Sequence, residues 1–155
     1  MTRSQGLLLF TCALSLYSVG QVWLVQLSSY PLWRYVGETH FRAYHLAWWR
    51  SIWGVVLFPA ILVSAGAVIM LWWRPAHVQA WMVWLGLALQ VLLVAGTAVW
   101  WGPLMARLES PNGGLSMERY QLLIATHWLR VALVTGYGLL TIWMLARSAW
   151  AETQD

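Results

Sequence analysis

Residues 122–145 read LLIATHWLRVALVTGYGLLTIWML. The stretch is long enough to cross the hydrocarbon core of a bilayer, which takes roughly 20 apolar residues. It nevertheless contains Arg130, and it contains no acidic residue. An arginine keeps its charge in a protein, and placing that charge in hydrocarbon costs roughly 2.5 kcal/mol or more on insertion scales. We therefore predict that Arg130 faces the interior of the protein, a wet cavity or an anionic ligand.

The whole chain has the composition of an integral membrane protein. Of its 155 residues, 61% are hydrophobic and 9% are charged, against about 25% charged residues in a typical soluble domain. The nine basic residues are all arginines and are dispersed, which argues against nucleic-acid binding. The fourteen tryptophans, many of them at the ends of apolar runs, are typical of aromatic belts at the membrane surface. Cys12 is the only cysteine, which excludes an internal disulfide.

Four long apolar runs predict a single domain, residues 1–155, with an all-α integral membrane fold. The predicted spans are approximately residues 7–27, 47–73, 79–101 and 120–145. We expect a four-helix bundle with antiparallel, up-down-up-down topology, because the short connection Arg74–Val78 makes the second and third spans antiparallel neighbours. Pro59 is expected to kink the second span.

The first span and the arginines decide the predicted orientation. The apolar run after Arg3 continues to Leu27, which predicts a retained helix and not a cleaved signal peptide. Three arginines lie on the side of the termini (Arg3, Arg74 and Arg147), and five lie on the side of the longer connections (Arg34, Arg42, Arg50, Arg107 and Arg119). We predict a multi-pass protein of the cell inner membrane with cytoplasmic termini, because Arg3 and the hairpin arginine resemble ordinary cytoplasmic anchors.

Polar residues recur at helical spacing within the spans, which predicts a polar seam inside the bundle. The stripe on the fourth span comprises Tyr120, His127, Arg130, Tyr137 and Thr141, and the stripe on the third comprises Gln79, Gly86, Gln90, Thr97 and Trp101. The first span has a weaker stripe, with Gln21 and Gln26 nearby. Because unpaired amides and hydroxyls are costly against lipid, we expect these stripes to face each other.

His127 and Arg130 are the candidate catalytic residues, because two groups that are costly in a membrane share one helix face. At 1.5 Å rise per residue, His127 lies about 9 Å and Arg130 about 4 Å from the membrane centre. Residues at similar depth or on the same stripes are the candidate ligand-binding residues, namely Gln21, Trp23, Trp53, Gln90, Thr97 and Tyr120. A purely structural interpretation stays open, in which His127 makes an interhelical hydrogen bond and Gln21, with a loop glutamate, neutralises Arg130.

Several short motifs are spread along the chain. They are Gln26-x3-Tyr30-Pro31, Phe41-x2-Tyr44-His45, Arg50 at the start of the second span, and His127-Trp128-Leu129-Arg130 in the fourth. In these motifs the chain resembles the anthrone-oxygenase-like domain of small bacterial four-helix membrane proteins, a pattern in which Asn often stands where this chain has His127. The resemblance implies a membrane-embedded protein that handles polycyclic aromatic or quinone-like molecules, with or without oxygen.

Three functions remain open at this point. The first is a protein that binds an amphipathic aromatic or quinone-like molecule from the bilayer, with His127 taking a proton and Arg130 stabilising the resulting enolate or phenolate, as in proton abstraction or cofactor-free oxygenation. The second is a non-catalytic structural or assembly subunit that packs against protein partners in a larger membrane complex.

The third function is a metal- or haem-binding redox protein. Its candidate ligands beside His127 are Glu38, His45, Glu109 and Glu118. His45 lies about 24 Å from the membrane centre on the same helical rise, which disfavours a haem shared with His127. No cofactor is identified by the sequence.

Overall fold

The computed structural model describes the backbone of residues 2–152 and the side chains of residues 2–149. Four long helices make up most of this part of the chain: α1 (Arg3–Tyr35), α2 (Glu38–Ile69), α3 (Ala80–Ala106) and α4 (Met117–Glu152). Each contains a segment that is long and apolar enough to cross a membrane. Their outer surfaces expose many large apolar side chains, which is consistent with a membrane protein.

The helices extend beyond the predicted spans at two of the three connections. The sequence predicts connections at residues 28–46 and 102–119, but α1 continues to Tyr35, α2 begins at Glu38 and α3 continues to Ala106. Hydropathy marks only the apolar part of a helix, whereas the backbone stays helical until a residue ends it. Val36 is such a residue, since it adopts extended geometry after Tyr35, and Gly37 then stands at the N-cap of α2, where its carbonyl accepts from the N–H of His40.

The four helices contact one another in a closed order. The helix α1 packs against α2 and α4, and α3 packs against the same two helices. Glycines allow the close approaches, since a Cβ at Gly66 would collide with Thr11 and one at Gly138 would collide with Val19. The largest group of buried side chains, here called the aromatic cluster, consists of Tyr30, Trp33, Phe41, Trp101, Met105, Leu108, Tyr120 and Leu123.

Three π turns occur in the described residues, and each one ends two residues before a proline. They are Val25–Ser29 before Pro31, Trp53–Leu57 before Pro59, and Thr97–Trp101 before Pro103. Proline has no N–H, and its ring collides with the carbonyl four residues earlier. The turn before each proline accommodates the missing N–H and the ring by widening into a single π turn.

The carbonyl four residues before Pro59 finds a partner in another helix. Pro59 cannot donate to the Val55 oxygen, and the hydroxyl of Tyr17 in α1 donates to that oxygen at 3.0 Å. A carbonyl without a partner is costly in an apolar environment. Tyr17 therefore compensates for the proline and ties α1 to α2.

Candidate functional site

Arg130 lies in α4 and is contacted by the π turn of α3. Its guanidinium carbon lies 4.6 Å from the centre of the Trp101 ring, a cation–π arrangement. Its Nη2 donates to Thr97 Oγ1 at 3.3 Å. Thr97 and Trp101 are the first and last residues of the π turn, and the Trp101 ring occupies the space where Gly96 lacks a side chain. One widened turn of α3 thus supplies both contacts.

Arg130 has no carboxylate partner within the described residues, where the ion pairs are formed by Arg42, His45 and Glu109. The Nε of Arg130 is buried and finds no acceptor among those residues. The same holds for Nε1 of Trp101, on the ring that the guanidinium covers. A buried donor without an acceptor costs about 1–3 kcal/mol. Two donors on contacting side chains therefore favour binding of a carbonyl oxygen or an oxyanion here.

His127 lies one turn from Arg130 on α4 and is fully buried. Its Nδ1 lies 2.8 Å from Oε1 of Gln26, which belongs to the π turn of α1. The Nε2 of Gln26 donates to the Ile124 carbonyl at 3.3 Å, which fixes the orientation of the amide. Because the Gln26 oxygen can only accept, Nδ1 of a neutral His127 carries the proton. The lone pair is then on Nε2, which is the nitrogen available to take a proton from a ligand.

A chain of ring contacts connects His127 to His45. The Tyr30 ring lies 4.8 Å from His127 and 4.9 Å from Trp33, and Trp33 lies 5.7 Å from His45, measured between ring centres. Trp48 packs on both Tyr30 and Trp33. The two histidines are therefore joined through one block of aromatic side chains, formed by α1 and α2 beside α4.

Glu109 joins the connection between α3 and α4 to helix α2. Its two oxygens lie 3.5 Å from His45 Nδ1 and 3.7 Å from Arg42 Nε. Arg42 thus pairs with Glu109 and not with Glu38, which lies four residues before it in α2. The connection folds back over the start of α2, where Gly114 packs against Glu38. Among the described residues, no group of three or more His, Cys, Asp or Glu side chains is placed to hold a metal ion, and Glu118 is exposed.

The remaining predicted ligand-binding residues divide between the interior and the outer surface. Tyr120 is buried and donates to the Tyr30 carbonyl at 3.1 Å, while Gln90 is buried and accepts from Ser64 at 3.0 Å. Gln21 donates to the Tyr17 hydroxyl at 3.1 Å and makes no described contact with Arg130.

The two tryptophans among the candidate ligand-binding residues lie on the outer surface. Trp23 is partly exposed, donates to Thr135 at 3.1 Å and packs edge-on against Trp128. Trp53 has 56% of its surface exposed. Among the described contacts neither ring touches His127 or Arg130. The role of Trp23 and Trp53 in ligand binding therefore stays a prediction, and it requires a ligand that lies on the outer surface of the helices.

Sequence reasoning missed Gln26, Tyr30 and Trp33 as site residues and treated Trp101 as part of a stripe only. Gln26 and Trp101 were visible as polar and aromatic residues near the seam, but their contacts depend on the π turns. Tyr30 and Trp33 fall in a segment predicted to be a connection. The proline and the aromatic residues of this segment are visible in the sequence. The continuation of the helix, which buries both side chains, could not be inferred from it.

No known protein family, curated protein or solved structure matches the chain significantly.

Proposed function

We propose that this chain is a small integral membrane protein that binds an amphipathic aromatic or quinone-like ligand through Arg130 and His127. The observation that carries the proposal is Arg130 itself, a permanent cation that stacks on Trp101, has a buried Nε without an acceptor, and has no carboxylate beside it in the described part of the chain. A ligand oxygen that carries full or partial negative charge would satisfy these donors.

The proposed architecture is an antiparallel, up-down-up-down four-helix bundle in the cell inner membrane, with both termini in the cytoplasm. The short connection at Val36 and Gly37 and the turn between Ile69 and Ala80 support it, because short connections join antiparallel neighbours. The closed order of helix contacts supports it as well.

The proposed chemistry starts with proton abstraction. A C–H beside a ligand carbonyl gives its proton to Nε2 of His127 and its electron pair moves onto the carbonyl oxygen as an enolate, whereas a phenol O–H gives up its proton and keeps the electron pair on its own oxygen as a phenolate. The unpartnered N–H groups of Arg130 and Trp101 would stabilise that oxyanion. The resemblance to anthrone-oxygenase-like proteins supports a polycyclic aromatic substrate: the enolate carbon would add to dioxygen, the peroxide anion would take the proton back from His127, and loss of water would leave a quinone carbonyl.

Binding of 2-hydroxyanthraquinone to the purified protein in lipid nanodiscs tests the proposal. Arg130→Gln removes the charge but keeps hydrogen-bonding capacity, so we expect a folded protein whose affinity falls about 10-fold to 100-fold, as for loss of a charge-assisted hydrogen bond. Arg50→Gln is the control, since Arg50 is exposed and its replacement should leave affinity unchanged. Equal affinity of Arg130→Gln and the unaltered protein would contradict the proposal.

A non-catalytic subunit of a membrane complex is the second candidate. A methyl group added at Gly20, Gly54 or Gly136 would meet no atom within 4 Å, so each glycine leaves open space on a helix surface. Small residues at such positions let another transmembrane helix approach closely. Cross-linking in native membranes tests this candidate: reproducible capture of the same membrane proteins supports it, and a chain that stays monomeric and binds ligand alone contradicts it.

A further inference from the structure

Two further buried polar atoms lack partners in the described residues, and they belong to rings that contact each other. They are Nε1 of Trp33 and Nε2 of His45, on rings whose centres lie 5.7 Å apart. Trp33 has no exposed surface, and His45 is 6% exposed. A polar atom at this depth is normally hydrogen-bonded to protein or water. This pair is separate from the pair on Arg130 and Trp101.

The chemistry of this pair differs from that of the Arg130 pair. Glu109 lies 3.5 Å from His45 Nδ1, and because a carboxylate only accepts hydrogen bonds, this contact favours the neutral His45 tautomer with its proton on Nδ1. Nε2 of His45 is then an acceptor, whereas the indole N–H of Trp33 can only donate. One donor beside one acceptor complements a hydroxyl group, which both accepts and donates. Arg130 and Trp101, by contrast, offer only donors, which complement a carbonyl or an oxyanion.

Both pairs are joined by the same set of buried side chains. Trp33 and Trp101 belong to the aromatic cluster, and Tyr30 in that cluster contacts both Trp33 and His127. We propose that Trp33 and His45, with Glu109 as the residue that orients His45, form a second binding subsite for a hydroxyl group of the ligand. This inference rests on the proposed function and narrows its ligand class to aromatic ketones or quinones that carry a hydroxyl group away from the carbonyl.

The connection between α3 and α4 packs against the residues of this subsite. Glu109 in that connection contacts His45 and Arg42, of which Arg42 is largely exposed. Leu108 beside it is fully buried in the aromatic cluster.

A comparison of two ligands tests the subsite. The probes are 9,10-anthraquinone, which has carbonyls only, and 2-(hydroxymethyl)anthraquinone, whose alcohol stays uncharged, so both are used at mildly alkaline pH where imidazoles are neutral. Titration calorimetry in nanodiscs, with empty nanodiscs subtracted, gives the ratio of the two affinities. We expect the unaltered protein to prefer the hydroxylated probe by about 3-fold to 10-fold, as for one added hydrogen bond. Trp33→Phe and His45→Phe should each bring the ratio to about 1 while affinity for anthraquinone is retained.

Matched variants separate this subsite from a merely structural role. Trp48→Phe removes an indole N–H from the same block of rings and should keep the preference for the hydroxylated probe. Glu109→Gln keeps an acceptor for His45 and should keep more of the preference than Glu109→Ala. Loss of affinity for both probes in Trp33→Phe would show that the ring only supports packing, and the subsite would be rejected.

The outcomes for the unaltered protein distinguish the two proposals. If the unaltered protein binds both probes equally while Arg130→Gln loses affinity for them, no ligand hydroxyl binds at Trp33 and His45. That result overturns the second subsite and leaves the proposed function standing. Binding of neither probe would overturn both proposals.

Discussion

Arg130 is stabilised by an aromatic face and a hydroxyl, and in the described residues by no opposite charge. Such partners moderate the cost of the charge without cancelling it, because neither Trp101 nor Thr97 carries charge of its own. The site therefore keeps an unsatisfied preference for an anion. His127 is arranged differently, since Gln26 satisfies one of its nitrogens and fixes the position of its proton.

The role of Gln26 can be tested by its replacement with leucine. Gln26→Leu leaves Nδ1–H of His127 buried without an acceptor, so we expect the free energy of unfolding to fall by about 1–3 kcal/mol. It also removes the acceptor that stabilises the Nδ1–H tautomer of His127, so nitrogen NMR of labelled histidine should show a mixture of both neutral tautomers. Gln90→Leu is the control: it removes another buried amide, bonded to Ser64, and should leave the His127 tautomer as it is.

The shared helix face of His127 and Arg130 could be predicted from the sequence, but the side chains that surround them could not. An arginine and a histidine one turn apart in an apolar helix must share a face, and that follows from helical spacing alone. The contact of Thr97 with Arg130 followed from the polar stripe on α3. Trp23 and Trp53 were selected by depth, which fixes the height of a residue along the membrane normal but not the direction of its side chain. Both side chains lie on the outer surface.

At the scale of single elements, the π turns organise the site. Gln26 lies in the π turn of α1, while Thr97 and Trp101 begin and end that of α3. The prolines that accompany these turns are visible in the sequence, and a kink at Pro59 could be expected from them. The sequence does not show whether a proline will bend the helix or widen the preceding turn, and here all three preceding turns are widened.

Substitution of Gly102 tests the π turn of α3. A Cβ at Gly102 would lie 2.8 Å from the Thr97 carbonyl oxygen, which this turn brings close. We expect Gly102→Ala to destabilise the protein by about 1–3 kcal/mol, as overpacking does, and to weaken ligand binding through displaced Thr97 and Trp101. Gly54→Ala is the matched control, since Gly54 lies in the π turn of α2 and a Cβ there meets nothing within 4 Å. Similar stability of both variants in thermal unfolding would contradict this account.

The bond from Tyr17 to Val55 can be tested by a double-mutant cycle. Tyr17→Phe should lower the free energy of unfolding by about 0.6–1.7 kcal/mol, the range of interhelical hydrogen bonds in membranes. In a Pro59→Ala background the new N–H at position 59 can bond the Val55 oxygen, so the same Tyr17→Phe change should cost less. Denaturation in mixed micelles measures all four proteins, and strictly additive effects would show that the tyrosine does not compensate for the proline.

At the scale of the whole molecule, four helices long and apolar enough to cross a membrane were predictable, because each hydrophobic run is long and carries few charges. Their ends were not, because most of residues 28–46 and all of residues 102–106 remain helical beyond the apolar part. These extensions bring His45 into the aromatic block, three ring contacts from His127. Glu109, in the connection that follows α3, lies against His45.

The proposed orientation can be tested with reporter fusions. With both termini in the cytoplasm, a green fluorescent protein fused after residue 155 should fluoresce, whereas alkaline phosphatase at the same position should be inactive. The phosphatase should be active when inserted near Asn112, in the connection between α3 and α4. The opposite pattern would place the arginines of the longer connections in the cytoplasm and would reverse the proposed topology.

The widened turns also determine what a change in chain length does to this protein. Deleting one residue from an ordinary α turn rotates every side chain beyond the deletion by about 100° around the helix axis. A single π turn holds one extra residue, so a deletion within it restores α-helical spacing and leaves the distal side chains near their original faces. In α3, loss of one codon between Gln90 and Thr97 would therefore carry Trp101 away from Arg130, whereas loss of one codon inside the π turn would be absorbed there.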